Sequence, residues 1–202
     1  MGKRNGQLAE PRWATAVAEL YPSQGEWREC DYFALPDTNR IVELSKGELI
    51  IPPMPAHIHQ QILLFLVMSL RSFVTARNLG VVSLAPLPVK LWRGKIREPD
   101  ILFVTSAHLN RIHEKYWDAP DLAIEIISPS SVDTDRAKKF DEYARAGVSE
   151  YWLVDVEAQT LEVFTLKRKQ YVLFGKWGEG QRAKSKLLKG FEVAVDEIFT
   201  PV

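Results

Sequence analysis

Two acidic residues and a lysine stand where the fold could gather them around one metal ion. Glu125 lies inside the apolar segment 122–127, and Asp100 directly precedes the apolar run 101–104. Lys139 follows in a helical segment. Carboxylate oxygens are ligands that suit Mg²⁺ and Mn²⁺. The pattern predicts that Asp100, Glu125 and Lys139 converge on one divalent cation.

Glu125 is the acidic residue with the clearest local signal. Strand alternation would place it on one face with Ala123 and Ile127, so a carboxylate would stand among apolar side chains. Burial of an unpaired carboxylate is costly, and Glu125 therefore needs a cation, a hydrogen-bond donor or a metal ion as its partner. A buried salt bridge or an edge strand would meet that need as well as a catalytic site would.

The spacing of the other two residues supports the same site. The separation between Asp100 and Glu125 fits a strand, a connection and an adjacent strand. Asp135, Lys139 and Tyr143 recur at four-residue steps and so share one helix face. Because the helix follows the Glu125 strand directly, this face can reach back over the strand end. A surface ion pair between Asp135 and Lys139 is the structural alternative.

The elements that must position these residues are those of an α/β fold. Apolar runs on both sides of Gly47 predict a β-hairpin, and apolar residues at three- and four-residue steps predict a long helix over 57–77. The segment 122–156 has a strand–helix–strand pattern, which predicts two parallel strands joined by a right-handed crossover. Further strands are expected at 81–85, 87–92, 101–104, 160–166 and 170–174.

Composition limits the classes of protein that this chain can represent. With 202 residues it suits one domain, and equal counts of Lys+Arg and Asp+Glu, 26 each, make the net charge zero. A net charge of zero argues against non-specific DNA binding driven by charge alone, although a metal ion can supply local positive charge. Cys30 is the single cysteine, which excludes an internal disulfide and a thiolate zinc site.

No segment of this sequence is expected to enter a membrane. The start of the chain lacks an apolar stretch of signal-peptide length. The longest apolar run, 62–70, is shorter than the roughly 20 residues that cross a bilayer. We therefore expect a soluble, cytoplasmic protein. The basic turn 167–169 is interpreted as a solvated hairpin tip rather than a phosphate contact.

Several short motifs together resemble one known family. They are GEL at 47–49, His-Gln at 59–60, PD at 99–100, EIISPSS at 125–131, D-x-x-x-K-x-x-x-Y at 135–143 and GVSEYWLVD at 147–155. The set resembles the Uma-type endonucleases, formerly a domain of unknown function, within the PD-(D/E)xK restriction-endonuclease-like superfamily. The resemblance covers roughly residues 26 to 200. It implies a mixed central sheet flanked by helices, with an N-terminal helix and β-hairpin extension, and a division into an extension (1–25) and a domain (26–202).

The resemblance also implies roles for individual residues. Asp100 takes the aspartate of the PD motif and Glu125 takes the D/E position. Ile127 stands where the motif places its lysine, and in this family the lysine has moved to the following helix, which here means Lys139. The implied ligands of Mg²⁺ or Mn²⁺ are Asp100, Glu125 and the main-chain carbonyl of Ile126.

Four more residues are candidates under the same resemblance. Glu48, in the GEL motif, is expected to join the catalytic residues. His59, Asp135 and Tyr143 are expected to support them, and His59 fits a helix-surface or capping role equally well.

The function implied is metal-dependent hydrolysis of phosphodiester bonds in nucleic acid, with DNA as the expected substrate and a homodimer as the expected assembly. One alternative is a catalytically inactive nuclease-fold module that binds nucleic acid or protein. Another is a structural oligomer that presents its aromatic residues to a partner, namely Trp117, Tyr151, Trp152 and Trp177.

Overall fold

A computed structural model of the chain describes residues 21–200, apart from Asp37 and Ser130. The expected boundary near residue 25 therefore falls at the edge of this range, and nearly all of the expected extension lies outside it. The helices are α1 (Glu29–Phe33), α2 (His57–Ala76), α3 (Phe140–Ala146) and α4 (Val195–Phe199), with a 3₁₀ helix at Ser106–Arg111 and a π-helical segment at Thr134–Lys139.

The strands form three sheets. They are β1 (Glu43–Ser45), β2 (Glu48–Ile50), β3 (Gly80–Leu84), β4 (Val89–Trp92), β5 (Lys95–Arg97), β6 (Ile101–Thr105), β7 (Trp117–Asp118), β8 (Leu122–Ile127), β9 (Glu150–Asp155), β10 (Thr160–Lys167), β11 (Gln170–Trp177), β12 (Arg182–Lys184) and β13 (Glu192–Ala194). The predicted mixed α/β fold is confirmed.

The six-stranded sheet has the order β11-β10-β9-β8-β6-β3. Its strands pair antiparallel except for β8 and β9, which are parallel as the strand–helix–strand pattern predicted. One face packs on α2, where Leu66 and Leu70 meet Ile124 in the main core. The opposite face carries Ala123 and Ile127, because side chains alternate along β8, and these pack in one cluster with Tyr143 of α3.

A five-stranded sheet, β2-β1-β5-β4-β7, stands beside the main sheet. It contains the predicted hairpin, with Leu44 paired to Leu49 across the turn and to Ile96 on β5. Lys95 begins β5 only three residues after the end of β4 at Trp92. The reason is that Gly94 adopts a φ of 75°, which reverses the chain within two residues and lets pairing start at once.

The helix α2 packs on the main sheet and carries one of the candidate site residues, His59. It is long and apolar enough to cross a membrane by length and composition alone. Ile62, Leu66 and Leu70 are nevertheless fully buried against the main sheet, as is usual for a core helix. Its first turn places His59 at the edge of the sheet that carries Asp100.

Candidate active site

Asp100 and Glu125 face each other across two antiparallel strands. The register pairs Ile101 with Ile124, and one further step places Asp100 opposite Glu125, on the same face of the sheet. The Oδ2 atom of Asp100 accepts a hydrogen bond from the main-chain N–H of Ile126 at 2.7 Å. Both carboxylates are buried, so the expected acid pair exists within the sheet itself.

Lys139 lies against this acid pair. Its Nζ atom is 2.9 Å from Glu125 Oε2, 3.2 Å from Asp135 Oδ1 and 3.6 Å from Glu43 Oε1. The ion pair between Asp135 and Lys139 therefore exists, but both side chains are buried rather than at the surface. Lys139 is the last residue of the π-helical segment, a wide turn of a kind that often occurs at functional sites.

Two tyrosines and a histidine hold these groups in place. The Tyr143 hydroxyl donates to Glu125 Oε1 at 2.7 Å, and the Tyr151 hydroxyl donates to the main-chain carbonyl of Asp135 at 3.0 Å. His59 Nε2 lies 3.2 Å from Asp100 Oδ2. Each contact fixes one side-chain or main-chain oxygen, which is what a preorganised site requires.

Glu43 on β1 is a site residue that the sequence reasoning missed. Besides its contact with Lys139, it accepts a hydrogen bond from Arg97 Nη1 at 2.6 Å. Glu48, the glutamate expected from the GEL motif, is exposed at the start of β2, and the structure does not bring it to Lys139. The available signal was that Glu43 stands between Val42 and Leu44, as Glu125 stands between isoleucines, whereas Glu48 follows a turn glycine.

Glu98 is a second buried carboxyl that the sequence reasoning missed. Its Oε1 atom accepts from the main-chain N–H of Val42 at 3.1 Å and lies 3.1 Å from the Tyr32 hydroxyl. Its Oε2 atom is buried and has no hydrogen-bond partner among the described residues. Burial is the main reason that the pKa of Glu98 is raised to about 7, and nearby Glu43 adds to this effect.

The buried charges shift the pKa values of the central pair. Burial raises the pKa of Glu125 well above its usual range, the Lys139 ammonium opposes this, and Asp135 and Asp100 add to it. Burial alone would lower the pKa of Lys139, but Glu125, Glu43 and Asp135 hold it well above its usual value. The acidic neighbours therefore favour the cationic form of Lys139.

The carboxylates outnumber the cations at this site. Glu43, Asp100, Glu125 and Asp135 surround Lys139, and Arg97 contacts only Glu43 among them. No three His, Cys, Asp or Glu side chains within the described part of the chain form a complete metal centre. Mg²⁺, however, is usually held by one or two carboxylates together with waters and substrate phosphates. The oxygen donors of this site fit such an open arrangement.

Seven of the eight residues expected at the site lie together. They are His59, Asp100, Glu125, Ile126, Asp135, Lys139 and Tyr143. The aromatic residues that were considered for partner contacts pack within the chain instead. Trp117, Tyr151 and Trp152 are buried, and Trp177 packs against the main core.

The mixed sheet with an acid pair on neighbouring strands and a lysine on the following helical segment defines a restriction-endonuclease-like fold. A crystal structure titled as that of "a putative nuclease belonging to DUF820 from Anabaena variabilis ATCC 29413" superposes with a TM-score of 0.70 at 22% identity, covering 85% of this chain and 97% of the other. No curated protein matches the sequence. The model of the Uma2 family, described as "Putative restriction endonuclease", matches residues 30–196, and the chain belongs to that family.

Proposed function

We propose that this protein is a Mg²⁺-dependent endonuclease that hydrolyses phosphodiester bonds of DNA. The observation that carries the proposal is the placement of Lys139 Nζ 2.9 Å from Glu125, on the strand face that Glu125 shares with Asp100. Two acids and a cation on one face are the groups that metal-assisted phosphodiester hydrolysis requires. Family membership supports the same reaction class.

Asp100, Glu125 and the main-chain carbonyl of Ile126 would hold Mg²⁺ or Mn²⁺. A divalent cation, when bound, neutralises charge on the phosphate and makes a nearby water more acidic. Hydrogen bonds from His59 and from the Ile126 N–H orient Asp100, and the Tyr143 hydroxyl orients Glu125.

Lys139 acts as a positive hydrogen-bond donor in this mechanism. Because its carboxylate neighbours hold its pKa well above the usual value, it cannot serve as a general base near neutral pH. Its ammonium can donate to phosphate oxygens and stabilise the negative charge that develops in the transition state. Asp135 and Glu43, at 3.2 and 3.6 Å from its Nζ atom, keep the ammonium in position.

Substitution of the acids and the lysine tests this function. Asp100→Asn, Glu125→Gln and Lys139→Met should each reduce Mg²⁺-dependent cleavage of plasmid DNA by at least about 100-fold, the typical loss when a charge-stabilising group is removed. Wild type and variants are purified identically, and EDTA should stop the reaction. Full activity in Asp100→Asn would contradict the proposal, because contaminating nuclease is then the source of cleavage.

The non-catalytic module remains the competing function. Calorimetric titration with Mg²⁺ and Mn²⁺ discriminates the two: a protein that binds DNA but neither ion is a binding module, not a nuclease. A homodimer, which the family resemblance implies, stays a prediction that light scattering at several concentrations tests.

A further inference from the structure

A basic cleft lies beside the candidate active site. It is a cavity of about 410 Å³, and we define it by Lys46, Arg93 and Arg145 around Trp92. Lys95 and two acidic residues, Asp141 and Glu142, also line it, so the cations outnumber the acids by four to two. Its cations come from the turn between β1 and β2, the turn between β4 and β5, and α3. Because the chain as a whole has no net charge, a local cluster of this kind is where an anionic ligand would be attracted.

The three defining cations are free to take a ligand. Lys46, Arg93 and Arg145 are exposed, and none of them takes part in an ion pair among the residues that the structure describes. The guanidinium of Arg145 lies 4.4 Å from the centre of the Trp92 ring, which restricts its motion. Lys95, in contrast, is paired with Glu142 and belongs to the wall of the cleft.

The distance from the cleft to the active site can be estimated along two elements, α3 and β5. Along α3 and the turn before it, Lys139, Glu142 and Arg145 follow one another at three-residue steps, so Arg145 stands about 9 Å beyond Lys139 at 1.5 Å per residue. Along β5, Arg97 contacts Glu43 and Lys95 lies two residues away, about 7 Å at 3.4 Å per residue.

Ion pairs connect the cleft wall to the catalytic lysine without interruption. Lys95 pairs with Glu142, Glu142 with Arg97 at 2.7 Å, Arg97 with Glu43 at 2.6 Å, and Glu43 lies 3.6 Å from Lys139. A network of largely buried ion pairs thus fixes the position of the cleft relative to the active site. A strand that places one phosphate at Lys139 would continue over the cleft.

We propose that the basic cleft binds the sugar–phosphate backbone of the DNA strand that is being cut, one or two nucleotides from the scissile phosphate. Because the 3.4 Å spacing is measured along the helix axis, and neighbouring phosphates of one strand lie about twice as far apart through space, a separation of about 7–9 Å corresponds to roughly one phosphate step along the strand. Contacts of this type come from Lys and Arg to phosphate oxygens and set the register of the strand without reading its bases. This inference rests on the proposed nuclease function.

The test compares two charge-matched triple variants of the full-length chain. Lys46→Gln, Arg93→Gln and Arg145→Gln together remove the cleft cations. Lys167→Gln, Arg168→Gln and Lys169→Gln remove the same charge from the exposed β10–β11 turn. Fluorescence anisotropy measures the binding of labelled duplex DNA, single-stranded DNA and single-stranded RNA of equal length, in EDTA and at several salt concentrations.

The cleft variant should bind DNA at least about tenfold more weakly, and the slope of log K against log salt should fall by about 2–3, since each phosphate contact contributes about 0.9. The turn variant should bind within twofold of wild type. Cleavage of bis(p-nitrophenyl) phosphate, which is too small to reach the cleft, should be unchanged in the cleft variant. Equal effects in the two variants, or no effect in the cleft variant, would overturn the proposal.

The outcomes separate this inference from the proposed function. A wild-type protein that binds DNA through the cleft but does not cleave it upholds the cleft and refutes the nuclease. If wild-type protein cleaves DNA and the cleft variant cleaves it equally well, the nuclease function is upheld and the cleft proposal is refuted. Cleft-dependent binding confined to RNA, or no binding of any of the three probes, refutes the assignment to DNA.

Discussion

At the scale of single residues, the site depends on carboxylates that share a small number of cations. Glu43 contacts both Lys139 and Arg97, and each of these has other acidic partners. Such sharing keeps every buried charge partly compensated, but it also means that no partner can be removed without cost. Glu43, on the first strand of the hairpin, shows this most directly.

Glu43→Gln should lower the free energy of unfolding by about 3 kcal/mol, because it leaves the buried Arg97 guanidinium with a single acidic partner. Glu48→Gln is the matched control on the other strand of the same hairpin. Glu48 is exposed, so its substitution should change the free energy by less than about 0.5 kcal/mol. Urea denaturation of both variants measures the difference, and equal losses would contradict the assignment of Glu43 to the site.

At the scale of elements, the hairpin is positioned by a glycine. The Gly47 carbonyl accepts hydrogen bonds from the main-chain N–H groups of Gly25 at 2.8 Å and Trp27 at 3.0 Å. A Cβ atom at position 47 would lie 2.3 Å from the Gly25 carbonyl oxygen. The preceding segment therefore packs directly on the turn, and this contact holds β1 where Glu43 reaches Lys139.

Gly47→Ala should destabilise the protein by about 2 kcal/mol more than Gly94→Ala does. The two glycines have similar φ angles, 77° and 75°, so the cost of a left-handed backbone, about 1 kcal/mol, is the same in both. Only at Gly47 would the added methyl group meet main-chain atoms, whereas a Cβ at Gly94 meets nothing within 4 Å. Thermal unfolding of both variants checks this, and equal shifts would show that the hairpin adapts.

The helices and strands themselves were easier to predict from the sequence than the contacts between them. Strand β8 and helix α2 have strong apolar patterns, so their bounds were predicted within a residue. The contact of Lys139 with Glu125 could be inferred because the two elements are consecutive in the chain. Glu43 approaches Lys139 from a separate sheet, and no local pattern contains the information about how two sheets pack together.

At the scale of the whole molecule, neutrality conceals an uneven distribution of charge. Equal numbers of acidic and basic residues leave a buried acidic cluster in one place and an exposed basic cleft beside it. An acidic group buried without enough cations keeps its proton in the folded state. Folding of the metal-free protein is therefore linked to pH through these groups.

The direction of this linkage follows from Glu98 and Glu125. Burial raises the pKa of Glu98 to about 7 and the pKa of Glu125 well above its usual range, whereas both ionise near 4.5 in the unfolded chain. Between these limits the folded state binds more protons at these two groups, so their contribution to stability is greatest below about pH 4.5 and declines as pH rises. The contribution of Glu98 is lost across pH 4.5–7 and amounts to about 3 kcal/mol.

A divalent cation should reverse this decline. If Asp100 and Glu125 bind Mg²⁺, binding must displace the proton of Glu125, so the stabilisation by 10 mM Mg²⁺ should grow from pH 5 to pH 8. A cation at 100 times its Kd adds about 2.7 kcal/mol. Urea denaturation with and without Mg²⁺ measures this effect. Asp100→Asn should abolish it, while Glu98→Gln should flatten only the metal-free decline. A stabilisation by Mg²⁺ that is the same at both pH values would show that the cation binds elsewhere, since the buried carboxyls are the groups whose protons it must replace.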